Sequence, residues 1–272
     1  VKNLFSGQGW GTSPGDGVDL TYSFVGKHGD TESKFEDGYF ESSSRDIHPP
    51  ACECSMCSEA NSEDRDVIPG ERTEAKSSTR LETSDFFQAQ AKYTLDLIGD
   101  YTLSNFAKVT ETASGDANYG QLRFLSVDLT GALGRAYQPY AGSHSSGDIT
   151  IDNAPDPRIQ DKYLAKGEDT FLTLIHEIGH AVGLDHPFDG AFAETASPGK
   201  SFQNTVMSYH IYSSTESSLG VFKDSDGGSM GYYPQTWMID DIAALQYMYG
   251  TNEQTNRENN TYDVTNLSNS SI

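Results

Sequence analysis

The segment TFLTLIHEIGHAVGLDHP, residues 170–187, constrains this chain more than any other. Phe171, Leu174, Ile175, Ile178 and Val182 recur at helical spacing. They predict a helix beginning near Glu168, with Glu168 and Asp169 at the end where a helix dipole favours acidic groups. Residues four apart share a helix face, so His176 and His180 aim their rings at one point. Gly183 predicts the end of the helix, because glycine enters the left-handed conformation without a Cβ penalty. The turn then brings His186 in from outside the helix. Three neutral imidazoles around one ion leave a fourth position open, which marks a catalytic rather than a structural zinc centre. Glu177, next to the first histidine, puts a carboxylate where it can act on a bound water as general base. A bare H-E-x-x-H arises by chance on many helices. Fixing the glycine and the third histidine as well makes chance a poor explanation.

Position by position, His176, Glu177, His180, Gly183 and His186 resemble the motif of the metzincin zinc endopeptidases. Downstream, Met207 in SFQNTVMSYH resembles the metzincin methionine turn, an apolar floor beneath the histidines. Tyr209 matches the place where serralysins and astacins carry a tyrosine that ligates zinc or donates a hydrogen bond to the reaction intermediate. A phenolic hydroxyl can do both, being donor and acceptor. The run IDDIAA, residues 239–244, is similar to the last helix of the serralysin catalytic domain. There, Asp240 or Asp241 is a candidate acceptor of hydrogen bonds from the zinc-site framework.

The resemblance is thus to the serralysin branch. It implies a secreted zinc-dependent endopeptidase acting on protein or peptide substrates, with a proteinaceous inhibitor as a further candidate partner. Zn2+ is the implied cofactor and Ca2+ a second candidate ion. The stretch KDSDGGSMGYY, residues 223–233, looks like a fragment of a calcium loop but lacks further ligands, so a turn is expected there. Serralysins continue into G-G-x-G-x-D repeats, and residues 251–272 show none; this polar end is expected to be a tail or the start of an extension. Serralysins are exported on a C-terminal signal, which suits an N-terminal stretch without a leader pattern. The competing reading is a catalytically idle or cysteine-latent zinc-containing binding module.

Composition narrows the partners. With 40 acidic against 18 basic side chains the formal net charge is -22, which disfavours nucleic acid and anionic membrane surfaces. No apolar run approaches the roughly 18 residues a spanning helix needs.

Upstream of the motif, residues 17–26 (GVDLTYSFVG) predict a first strand. Acidic residues, Ser, Gly and Pro dominate from about 27 to 83, which reads as a long surface insertion. It holds Cys52, Cys54 and Cys57. These support a disulfide plus a free thiol, a small metal clip completed by His48, a latency device in which a thiolate takes the open zinc position, or an inert loop. Residues 84–100 predict a packing helix capped by Ser84 or Asp85. Strand-like runs follow: FAKVTE, YGQLRFLSV, GRAYQPY and DITIDN. In the resembled family the sheet's edge strand pairs with extended substrate, and GRAYQPY, with Gly134, Arg135, Ala136 and Tyr137 at its start, is either that strand or an ordinary edge strand. Near the end, QTWMIDDIAALQYMYG predicts a helix closed by Gly250.

The expected fold class is α+β: a metzincin-like catalytic domain with a mixed twisted sheet packed on a backing helix and a zinc-binding active-site helix. Residues 1–250 form that domain and 251–272 the tail.

Overall fold

The computed structural model describes residues 4–24, 83–110, 119–127, 132–140, 146–152, 164–188, 201–209, 222–223, 229–230 and 233–255. Cys52, Cys54 and Cys57, the rest of the 27–83 insertion except Thr83, His210 and most of the tail lie outside them.

A five-stranded sheet in the order β2-β1-β3-β5-β4 forms the frame. Its strands are β1 (Asp19–Phe24), β2 (Asn105–Lys108), β3 (Leu122–Val127), β4 (Gly134–Ala136) and β5 (Asp148–Asp152). β1, β2, β3 and β5 run parallel, and β4 joins β5 antiparallel at the edge. The sheet is therefore mixed, as expected. The alternation of each strand decides its inner face: Leu20 and Tyr22, Leu122 and Phe124, Ile149 and Ile151, and Ala136 enter one core. The rings of Tyr22, Phe24, Phe87 and Phe124 meet mainly edge to face, at centroid separations from 5.1 to 6.4 Å.

Two long helices cover that face. α1 (Asp85–Tyr101) buries Phe87, Ala91, Leu95 and Ile98, and Ser84 caps it by accepting from Phe87 N at 3.0 Å. α2 (Asp169–Ala181) lies against β4 and β5 on one side and α1 on another. It is apolar nearly all round, and every residue from Thr170 to Ala181 except Thr173 is buried. α3 (Ile239–Tyr249) packs on α1 and ends at Gly250 with φ 73°. A short antiparallel pair, β6 (Phe222–Lys223) with β7 (Ser229–Met230), stands apart from the sheet.

β4 and α3 are shorter than their sequence patterns. The ladder of β4 stops at Ala136, although GRAYQPY predicts a strand to residue 140. Tyr137 still exchanges backbone bonds with Asp148 and Gly147, but Pro139 has no N–H to offer, and Ser146 takes over the bonds to Gln138 O and Tyr140 N. Trp237 precedes α3 rather than lying within it. It is fully buried and its Nε1 donates to Thr94 O at 3.1 Å, pinning the entry of α3 to α1.

Candidate metal centre

α2 carries His176 and His180 on one face, and their Nε2 atoms stand 3.2 Å apart. The helix ends at Ala181, and Gly183 takes φ 99° as its position after the helix requires. Leu184 N returns to Gly179 O at 2.8 Å and Gly183 N to His180 O at 2.9 Å, closing the turn. The chain then delivers His186, whose Nε2 lies 3.2 Å from that of His176 and 3.1 Å from that of His180.

All three rings are buried, with exposures of 7, 4 and 1%. His176 Nδ1 faces Val206 O at 2.9 Å and His180 Nδ1 faces Leu184 O at 3.0 Å. A carbonyl only accepts, so these Nδ1 atoms carry the protons and their Nε2 atoms present lone pairs. Burial first, and the neighbouring His186 second, hold His176 down at about 3, which keeps it neutral. Lone pairs converging at this distance in a dry site need a cation between them. Nitrogen donors about 2.0–2.1 Å from a zinc ion in tetrahedral array lie a little over 3 Å from one another, so the triangle fits zinc. Among the described residues this is the one cluster able to hold a metal.

Tyr209 reaches the same point. Its hydroxyl is 2.6 Å from His186 Nε2 and its ring stacks on His176 at 5.4 Å, while 53% of the residue stays exposed. It thus stands on the open side of the centre. Phe188 lies parallel to the His186 ring at 5.5 Å.

Glu177 is 7% exposed, and its Oε2 is buried without a hydrogen-bond partner among the described residues. Burial pushes its carboxyl up to about 8 against the opposing pull of the Arg135 charge. A dication in the triangle would draw that value back down. Among the described residues this buried carboxylate oxygen is left with an unmet hydrogen-bonding capacity, which packing alone does not explain.

The four edge-strand residues fall as follows. Gly134 lies against α2, where a Cβ would stand 2.7 Å from Glu177 Cγ and 2.7 Å from Thr173 Cγ2. The charge of Arg135 lies close enough to the Tyr137 hydroxyl to oppose the rise that burial gives it, and Ala136 points into the core. β4 therefore forms a rim beside Glu177.

Met207 is fully buried beneath α2, and a Cβ on Gly179 would run into its sulfur. Asp241, also fully buried, ties this turn down. Its Oδ1 accepts from Thr205 Oγ1 at 2.5 Å, and its Oδ2 accepts from Val206 N and Met238 N at 2.9 Å each. Val206 O in turn receives His176 Nδ1, so one carboxylate holds the carbonyl that orients a histidine. Asp240 serves differently, through its backbone N–H to Asn204 O. Burial raises Asp241 to about 7, while the bonds from Thr205, Val206 and Met238 oppose the rise. Sequence reading missed Gly179 and Thr205. A glycine inside an otherwise strong helix signals a close approach, and that cue was present.

Fold and site together resemble those of a metzincin catalytic domain. The matrixin family of peptidases matches residues 117–193, a span that includes the three histidines and Glu177. Within that class the likeness is to serralysins. Serralysin A of Dickeya chrysanthemi is 33% identical over 182 residues, 64% of this chain and 35% of that protein. Serralysin of Photorhabdus luminescens is 27% identical over 177 residues, covering 64% and 35%. The metallopeptidase AprA of Pseudomonas marginalis is 34% identical over 170 residues, covering 58% and 34%. The chain spans about a third of the length of these relatives.

Proposed function

We propose that this chain is the catalytic portion of an extracellular zinc endopeptidase that hydrolyses internal peptide bonds of proteins. The convergence of three buried Nε2 atoms within 3.1–3.2 Å carries the reading, together with a buried Glu177 oxygen that has no hydrogen-bond partner among the described residues. His176, His180 and His186 would hold the ion. Zinc there supplies Lewis acidity, acidifying a water and polarising the scissile carbonyl. Glu177 accepts the proton from the attacking water and returns it to the leaving amine. Tyr209, exposed at the open side, donates its hydroxyl to the oxygen on which negative charge develops. Met207 supports the floor, and the outer edge of β4, which pairs with no further strand among the described residues, offers backbone groups to an extended substrate. Residues 1–250 act as one catalytic domain in this reading. The names and likeness of the relatives support proteolysis.

Digestion of casein by the parent and by Glu177→Ala tests the assignment. The variant should keep its zinc and lose activity by at least about 100-fold, the usual worth of a positioned general base. Activity at the parental level in Glu177→Ala would remove Glu177 from the mechanism. Repeating the parental assay with and without a thiol reductant separates an open enzyme from a cysteine-latent one.

A further inference from the structure

The turn that delivers the third histidine is not held by α2 alone. The last carbonyls of a helix lack intrahelical partners and must find them elsewhere. Here Ala181 O accepts from Trp10 Nε1 at 2.9 Å, Val182 O from the Tyr249 hydroxyl at 2.6 Å, and Gly183 O from Ser6 N at 3.3 Å. One residue on, Phe5 and Leu184 form an antiparallel bridge, and Asp185 N donates to Leu4 O at 2.9 Å. Leu4 is 2% exposed and Leu184 fully buried, so the contact is part of the core. Gly183 meets Gln8 so closely that a Cβ there would strike Gln8 O.

Residues 4–10 therefore run as a strap along residues 181–185. Two of the metal-site histidines depend on that backbone. Leu184 O accepts from His180 Nδ1 and sets the plane of that ring, and Asp185 precedes His186 directly. The strap's hydrogen bonds to residues 181–185 go to backbone groups. It fixes the peptide groups that aim the two histidines.

We propose that residues 4–10 are a positioning element of the metal centre, so that zinc affinity depends on this strap being seated against residues 181–185. Trp10 is its anchor: its indole N–H binds Ala181 O, its own backbone N–H lies 3.4 Å from the Tyr249 hydroxyl, and its ring packs under Gly147. The proposal rests on the reading of His176, His180 and His186 as zinc ligands. Partners that orient metal-binding histidines are typically worth about 10–100-fold in metal affinity.

The test is competitive zinc titration against a chromophoric chelator. It uses the parent, Trp10→Phe, a form lacking residues 1–10, and Phe24→Leu as a remote core control. Trp10→Phe keeps an aromatic ring and removes the donor to Ala181 O. It should weaken zinc binding about ten-fold and accelerate zinc release. The cobalt-substituted protein should also show a shifted d–d spectrum. Phe24→Leu, matched in loss of metal-free melting temperature, should bind zinc within about two-fold of the parent. Zinc affinity and cobalt spectrum in Trp10→Phe equal to those of Phe24→Leu would overturn the strap's role, whether or not the truncated form folds. A parent that binds no zinc would instead overturn the metal assignment itself.

Discussion

At the scale of single residues, the groups around the centre are set by burial. Tyr249 illustrates this well. Its hydroxyl donates to Val182 O at 2.6 Å in a nearly dry setting, and burial pushes it up to about 12 from an ordinary 10.0, with the bond from Trp10 N opposing. Its folded value lies above its unfolded one. The stability it adds is thus fully present below about pH 10 and is lost as pH rises toward and through about 12. Denaturant titrations at about pH 8 and pH 11.5 should show the parent losing about 2 kcal/mol more than Tyr249→Phe over that interval. Equal losses would mean that the phenol is not held neutral by the fold. The resemblance points in the sequence to Met207, Tyr209 and the pair Asp240 and Asp241. Which of Asp240 and Asp241 faces the site was not legible, because it turns on the rotation of α3 about its axis, which packing against α1 decides.

At the scale of elements, α2 is shaped by what must come close to it. Gly179 sits in its last turn with Met207 Sδ directly over the missing Cβ. Alanine is preferred to glycine in a helix by about 1 kcal/mol, which by itself would favour Gly179→Ala. Overpacking a dense core costs about 1–3 kcal/mol, and the methionine floor also supports the carbonyl that orients His176. Steric conflict should win: Gly179→Ala is expected to lower the unfolding free energy of the metal-free protein by roughly 1 kcal/mol. Thermal or chemical denaturation checks it, and a stabilised variant would show that the floor yields easily. The helices were legible because their apolar periodicity is long and Ser84, Gly183 and Gly250 mark their ends. β4 was legible as an edge but not in length. Pro139 ends the ladder, and a period-two pattern carries no record of where the partner strand begins.

At the scale of the whole molecule, a sheet with an antiparallel edge strand, a backing helix and a buried active-site helix bring together groups far apart in sequence. His176, Tyr209, Asp241 and Trp10 come from four separate stretches. The local motif announced the first. The strap of residues 4–10 was invisible to sequence reading, since it is short, glycine-interrupted and works through backbone groups and one indole N–H. The central claim is that three histidines hold zinc and that Glu177 does chemistry beside it. The most direct measurement is equilibrium dialysis of the metal-stripped protein against zinc, with casein cleavage read on the same samples. Parent and Glu177→Ala should each take up about one zinc per chain, His186→Ala should bind it at least about ten-fold more weakly, and only the parent should cleave. Unchanged zinc uptake in His186→Ala, or cleavage by the parent with no zinc bound, would contradict the account.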